Sequence, residues 1–425
     1  MSTETLRRMS KERSRNTRRP SDRNASGRNV NTRKSSANTR KASVKGRKKR
    51  SAIFSFGMGL DLPFLLIILL LLAIGLIMMF SASYPIAYYN MGDSFYFLKR
   101  QLLFAVIGVL LMLGVSCIDY HNLHRLTYFF LGGSYVALLL VLVLPAGDDG
   151  IHRWIGIGGY GIQASEISKF AIVLFLAHWG SLYYEKMDTI KYGVMPALVV
   201  FVSTAVLLLL EPHYSCIVIV LLLTVMMLFL SGINVKWILA AFALAVVAFL
   251  IAWATDLLSY AMKRMDGWGQ ALIYTDEKMW QSTWQTRNSL YAIGSGGLFG
   301  LGLGNSRQKY LYLPEPQNDF IFAIICEELG LVGAIVILLI FALLVWRGIT
   351  LSLRARDRFG KLLGIGLSSQ IGIQVILNVL VITDWLPNTG ISLPFFSYGG
   401  SSLVVLLAQM GVVLSISRHS NIEKA

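Results

Sequence analysis

Cysteine is nearly missing from this chain: Cys117, Cys216 and Cys326 are the three in 425 residues, each set in apolar surroundings. An odd number without paired spacing speaks against a disulfide framework or a cysteine-based zinc site and places all three in the core. The six histidines form no metal-binding constellation either. His121 and His124 would share a face if their segment were helical, but they read as a solvated loop pair. No period of roughly 20–50 residues recurs, which excludes a repeat array. The glycines near position 300 are followed by no Gly-Lys-Ser/Thr and preceded by no strand, so P-loop and dinucleotide fingerprints are both absent.

Acidic residues are also scarce, 23 against 39 Lys and Arg, and the imbalance is local. Residues 1–50 carry 18 Lys and Arg against Glu4, Glu12 and Asp22, so they hold +15 of the chain's +16. This stretch has almost no aliphatic residues and cannot bury enough apolar area to fold alone. Nucleic-acid binding is one reading of such a tail. Beside so many hydrophobic runs, the preferred reading is a cytoplasmic tail near anionic lipid, with no nucleic-acid partner. A solvated topology anchor is the bland alternative.

What the chain has in abundance is apolar length. A hydrocarbon core needs about 20 apolar residues per spanning helix. Runs of that kind lie near 62–80, 102–117, 127–144, 166–183, 196–210, 213–230, 237–254, 319–346, 362–383 and 401–417. The fold expected is therefore an all-α polytopic membrane protein with about ten transmembrane helices. Ser81-Ala82-Ser83 resembles a signal cleavage site, but the apolar stretch is too long and follows fifty polar residues, so it reads as a retained helix. Basic residues fall mostly on one set of loops: Arg125, Lys186, Lys191, Lys236, Arg347, Arg354, Arg356, Arg358, Lys361, Arg418 and Lys424, against Lys99, Arg100 and Arg153 on the other. This asymmetry places both termini in the cytoplasm and a long loop, about 255–318, outside, between the seventh and eighth spans. The domains expected are a basic tail over 1–54, a membrane domain over 55–420 and a short C-terminal tail over 421–425.

Polar groups at membrane depth are costly unless they face water, a partner or a ligand. Glu166 and Lys169 open the fourth span and project from one helical face. A plain ion pair with snorkelling ends accounts for them, but Arg153 adds a third charge nearby and Trp154 a stacking surface. A Lys and an Arg converging on an outer pocket suit a diphosphate. Asp319 stands at the mouth of the eighth span, after a glycine-rich stretch (Gly294 to Gly304) and the basic pair Arg307 and Lys309. Those glycines either let backbone approach phosphate or let a re-entrant segment pack closely. Glu327 and Glu328 lie about 12 Å deeper and read as groups holding the bundle together. Glu211-Pro212-His213-Tyr214-Ser215 reads as a tight turn, and Gln370, Gln374 and Asn378 as one polar stripe facing the bundle interior. Ser397, Gly399 and Gly400 open the last span, where a helix start holds an anion or is simply capped.

Together these motifs resemble the SEDS family of bacterial shape, elongation, division and sporulation proteins. The resemblance rests on the spans, Arg153-Trp154-Ile155, Gln163-Ala164-Ser165-Glu166 with Lys169, and Ala292-Ile293-Gly294-Ser295-Gly296-Gly297. It extends to Leu313-Pro314-Glu315, Asn318-Asp319-Phe320-Ile321-Phe322-Ala323, Glu327-Glu328-Leu329-Gly330 and Ser397-Tyr398-Gly399-Gly400-Ser401-Ser402. It covers residues 55–420 and is nearer the FtsW/SpoVE branch than RodA. Ala164 stands where the family usually has Pro, and His213 and Ser215 where it commonly has Asp and Gly; that turn is given no catalytic role.

The resemblance implies a peptidoglycan glycosyltransferase that polymerises lipid II by inverting transfer on the outer face of the bacterial cytoplasmic membrane, at the division septum or in sporulation. It implies Asp319 as catalytic base, and Arg153, Lys169 and one of Arg307 or Lys309 against the leaving diphosphate. Trp154, Ser397, Gly399 and Gly400 join the substrate-binding set, and Glu166 positions Lys169 or a cation. The cofactor is unknown: a divalent cation is admitted, but no ligand set defines one. The partners implied are a class B penicillin-binding protein transpeptidase and other divisome proteins. A flippase for the lipid-linked precursor, or a scaffold recruiting the transpeptidase, are the competing readings. The absence of an inverted repeat and the gathering of polar residues on one side weigh against transport.

Overall fold

The computed structural model describes residues 59–144, 153–157, 160–241, 243, 267–273 and 277–422. Most of them are helical. The basic tail, all but a few residues of the expected span at 237–254, part of the long outer loop and the last three residues lie outside the described residues.

Three helices form a lipid-facing group: α1 (Leu62–Met91), α2 (Tyr96–Cys117) and α3 (His121–Val143). Their lipid faces show in exposed side chains such as Leu66, Leu110, Phe129 and Val136. Asp61 caps α1, accepting from Phe64 N at 3.0 Å, and Gly92 ends it in the left-handed conformation. The helix runs unbroken through Ser81–Ser83, eleven residues past the end of the apolar run. His121 and His124 are not a loop pair. Both lie in the first turn of α3, and the His124 ring sits 4.2 Å from that of His178. The apolar run located the bilayer-crossing part of α3 but missed this polar first turn.

A two-stranded antiparallel hairpin, β1 (Trp154–Ile157) and β2 (Tyr160–Gln163), leads directly into α4 (Ala164–Leu182). This is the one sheet among the described residues, and the helical pattern gave no hint of it. Next come α5 (Met195–Leu210) and α6 (Tyr214–Leu230). Two short helices, α7 (Glu277–Ser282) and α8 (Trp284–Gly296), occupy the loop expected to be outside. The chain closes with α9 (Ile321–Leu353), α10 (Arg358–Ile382) and α11 (Gly400–Ile422). Seven helices among the described residues are long and apolar enough to cross a membrane. The fourth and sixth expected spans are also helices, α4 being less apolar because it carries Glu166, Lys169 and His178, and α6 being short.

The centre of the bundle is α4, α10 and α11, with α2 lying along α11, α3 on α4, and α9 on α10. Burial follows this order: 28% of the most apolar window of α2 is buried, against 72% for α11. Near-complete burial of α4 is what turns its polar residues into interior groups.

The glycine-rich stretch has a definite task. Helix α9 breaks at Gly330, whose φ of 69° and ψ of −173° leave the helical region. A break at membrane depth frees backbone groups that must find partners. Leu301 N and Gly302 N donate to the Glu327 and Glu328 carbonyls at 2.9 and 3.0 Å, while Leu331 N and Val332 N donate to the Gly297 and Leu298 carbonyls at 3.0 and 3.1 Å. The approach is so close that a Cβ on Gly300 would fall 2.1 Å from the Glu328 carbonyl oxygen. Of the two readings left open for these glycines, close packing of backbone is the one realised at Gly300 and Gly330.

Candidate functional site

The site is built where four separate parts of the chain end beside one another. The β-hairpin brings Arg153 and Trp154, and the start of α4 brings Glu166 and Lys169. The start of α6 brings His213, Ser215 and Cys216, and the segment ahead of α9 brings Asn318 and Asp319. Gln374 of α10 and the connection from α10 to α11, at Gly390, Ile391, Ser392 and Tyr398, add to the wall, which also includes Gln163, Ile219 and Ser402. The cavity's volume is about 200 Å³.

Glu166 lies in the first turn of α4, where a carboxylate complements the positive end of the helix. Lys169 lies one turn later on the same face, and its Nζ is 2.8 Å from Glu166 Oε1 with both side chains nearly closed to solvent. One ammonium hydrogen is thereby engaged and the others remain for an acceptor in the cavity. Arg153 Nη2 donates to the Pro212 carbonyl at 2.7 Å, which ties the hairpin to the α5–α6 turn. Trp154 is 45% exposed and forms the open rim.

Asp319 stands two residues ahead of α9. Burial pushes its carboxyl up to about 6, Arg153 opposes that rise and Glu315 adds to it. Gly390 makes room for the carboxylate: a Cβ there would lie 2.8 Å from Asp319 Oδ2, and the residue's φ of +72° is one that side-chain-bearing residues rarely adopt.

Glu211, one residue beyond α5, is fully buried and neither carboxyl oxygen has a hydrogen-bond partner among the described residues. Burial raises it to about 8 against the pull of Arg153. Among the described residues no three His, Cys, Asp or Glu side chains are placed to hold a metal ion, although Glu166, Asp319 and His213 line one cavity.

Five residues expected at the site are placed together: Arg153, Trp154, Glu166, Lys169 and Asp319. Five others do not line this cavity. Lys309 is fully buried, its Nζ 2.7 Å from Glu328 Oε1. Arg307 is exposed and contributes its backbone N–H to Glu327 Oε1 at 2.9 Å. Sequence proximity to Asp319 suggested a shared pocket, but the two acids of α9 draw this pair into the loop anchor instead. Ser397 faces an adjoining recess that shares Glu166, Gln374, Ser392 and Ser402 with the cavity. Its hydroxyl donates to the Asn318 carbonyl at 2.6 Å and accepts from Leu393 N at 2.7 Å. Gly399 N donates to Gln101 Oε1 at 3.2 Å, and a Cβ on Gly400 would meet the Phe104 ring. Protein groups thus engage the Gly399 amide that an anion at this helix start would use.

Reading the sequence missed His213, Ser215, Cys216, Asn318, Gln374, Gly390, Ile391, Ser392 and Tyr398 as wall residues. The available signal for His213 and Ser215 was their place at a helix start facing the same side as Glu166. Gln374 was visible as part of a polar stripe, but its direction within the bundle was not.

The family profile for the FtsW, RodA and SpoVE cell cycle proteins matches residues 62–422. Stage V sporulation protein E of Bacillus subtilis (strain 168) is 42% identical over 364 residues, covering 85% of this chain and 97% of that protein. A probable peptidoglycan glycosyltransferase FtsW of Trichlorobacter lovleyi is 36% identical over 361 residues, covering 84% and 93%. Among solved structures, Thermus thermophilus rod shape determining protein RodA is similar with a TM-score of 0.61 at 26% identity, over 85% of this chain and 97% of that one. A chain from the structure described as "Structural coordination of polymerization and crosslinking by a peptidoglycan synthase complex" is similar in fold, with a TM-score of 0.68 at 23% identity over 86% and 99%.

Proposed function

The chain belongs to the FtsW, RodA and SpoVE family, and on that premise we propose that it is a peptidoglycan glycosyltransferase polymerising lipid II on the outer face of the bacterial cytoplasmic membrane. The observation that carries this reading is one cavity lined by a carboxyl, Asp319, a buried lysine, Lys169, and an arginine, Arg153.

The chemistry follows from those groups. Joining an acceptor sugar hydroxyl to an α-linked diphosphate donor with β outcome requires inversion. The hydroxyl oxygen forms a bond to the anomeric carbon on one face while the carbon–oxygen bond to the diphosphate breaks on the other. Asp319 takes the hydroxyl proton; a carboxyl near 6 is mostly ionised at neutral pH yet basic enough to accept it. Lys169 and Arg153 stabilise the negative charge that collects on the departing diphosphate. Glu166 holds Lys169 in place rather than touching the sugar. Trp154, on the rim, offers a face for a sugar ring.

The likeness in fold to a synthase-complex chain supports a transpeptidase partner of the class B penicillin-binding type. The relatives named for sporulation and for FtsW support a role in septal wall synthesis, in division or in sporulation. The test is polymerisation by the purified protein, alone and with its transpeptidase, with lipid II as sole substrate. A ladder of glycan strands that Asp319→Asn abolishes is expected. Strands made equally well by that variant would remove Asp319 from the reaction, and no strands under either condition would remove the enzyme reading.

A further inference from the structure

The backbone just ahead of α9 is held in an unusual way. Three successive carbonyls, those of Gln317, Asn318 and Asp319, each accept one hydrogen bond from a different donor, all contributed by α10 or the chain that follows it. Tyr398 N donates to the Gln317 carbonyl at 2.8 Å. Ser397 Oγ donates to that of Asn318 at 2.6 Å, and Asn378 Nδ2 to that of Asp319 at 2.8 Å. The same Asn378 nitrogen donates its second hydrogen to the Ile391 carbonyl at 2.6 Å, and Ile391 is itself a wall residue of the cavity. Two carbonyl acceptors on one side fix the amide orientation without ambiguity, because only the nitrogen end can serve both. Asn378 is 1% exposed.

From this arrangement we propose that Asn378 is a positioning residue for Asp319: it joins the backbone of the base to that of Ile391 in the adjoining wall of the cavity, so the two segments are held in register. The proposal rests on the reading of Asp319 as base. Neither hydrogen bond touches the carboxylate itself, so the role differs from that of a group meeting substrate. Ser397 is a second strap of the same kind one residue earlier, which accounts for a hydroxyl that lies beside the site yet is consumed within the protein. Gly390, against Asp319 Oδ2, lies one residue before the carbonyl that Asn378 holds.

A change of about 1 Å in a reacting group lowers rate by about 100-fold. Asn378→Ala is therefore expected to lower kcat by about 10- to 100-fold, with KM for lipid II little changed. Loosening also admits water around Asp319. Arg153 and Glu315 act on that carboxyl, Glu166 and Lys169 line the same cavity, and all four remain, so relief of burial moves the acid limb of the rate profile to lower pH. Asn378→Asp is expected to be at least as impaired, since a carboxylate would face two carbonyl oxygens. Ser397→Ala, a milder change, should shift kcat and the acid limb in the same directions by less. Gln370→Ala, on the same polar stripe but outside the cavity, is the control and is expected to leave both near wild type.

The assay uses the full chain with its transpeptidase, normalised to folded protein by melting temperature and elution as a single species. Asp319→Asn is run beside the others. If Asp319→Asn is dead but the Asn378 and Ser397 variants keep their acid limb and lose activity only in proportion to folded protein, positioning is overturned and the base stands. If Asp319→Asn still polymerises, the base falls and the positioning role with it. A kcat loss at constant KM with a displaced acid limb establishes the strap.

Discussion

Lys309 Nζ lies 2.7 Å from Glu328 Oε1, and neither side chain has any contact with solvent. Ser81 Oγ stands within 2.8 Å of the same carboxylate, which ties α1 to the pair. Next to it, Glu327 receives the backbone N–H of Arg307 at 2.9 Å and the Ser306 hydroxyl. Two adjacent acids of α9 thus anchor the loop that fills the break at Gly330. Removing one member of a buried pair leaves an uncompensated charge, which costs about 3–5 kcal/mol.

Lys309→Met and Glu328→Met should each lower the melting temperature of the purified protein sharply. The double variant should recover part of that loss, because both charges leave together while Ser81 Oγ and the Ser306 backbone N–H lose an acceptor. Equal loss in the double and single variants, read by thermal unfolding in detergent, would show that the two groups do not depend on each other.

As the proposed base, Asp319 should set a pH limit on activity. With its carboxyl at about 6, the ionised form needed to accept a proton falls tenfold per pH unit below that value. The rate of strand synthesis should therefore decline on the acid side with a midpoint near pH 6. A midpoint near 4 would mean that the carboxyl is not shielded as its burial indicates.

Gly390→Ala should cripple the enzyme while sparing the fold. The new methyl would sit 2.8 Å from Asp319 Oδ2 and would force a left-handed backbone on alanine. The expected result is a kcat loss of about 100-fold with normal yield and elution. Wild-type turnover would mean that the carboxylate tolerates displacement.

Glu211 makes a stability prediction whose sign is opposite to that of most carboxyls. Its folded value is raised from the ordinary range to about 8, so its contribution is full below pH 4.5 and is lost as pH rises through about 8. Glu211→Gln removes that loss. The variant should melt at a higher temperature than wild type at pH 8, with the gap closing toward pH 5. A gap that stays constant with pH would show that the carboxyl does not change its charge on folding.

The spans were legible because the bilayer imposes a length on apolar runs, and that requirement is written locally in the chain. Their ends were not. The run at 62–80 marks an apolar length, whereas the helix continues to Met91 with Ser81 bonded to Glu328 and Tyr84 to Tyr310. Glu166 and Lys169 were legible as a pair because helical spacing sets their neighbourhood, and Arg153 and Asp319 stood out as charges beside apolar segments. Lys309 misled for the same reason: a lysine close to Asp319 in sequence looked like part of its pocket, but Glu328, nineteen residues away, holds it elsewhere. The strap on Asp319 was hidden because its donors, Asn378 and Ser397, lie 59 and 79 residues beyond the carbonyls they hold. Hydrogen bonds to main-chain carbonyls leave no pattern in the acceptor's side chains.

The cavity is small beside the polymer it would build. At about 200 Å³ it lies below the usual volume of a small-molecule pocket, so its described walls can take in the reacting groups but not a strand several sugars long. A growing strand would have to run on past them.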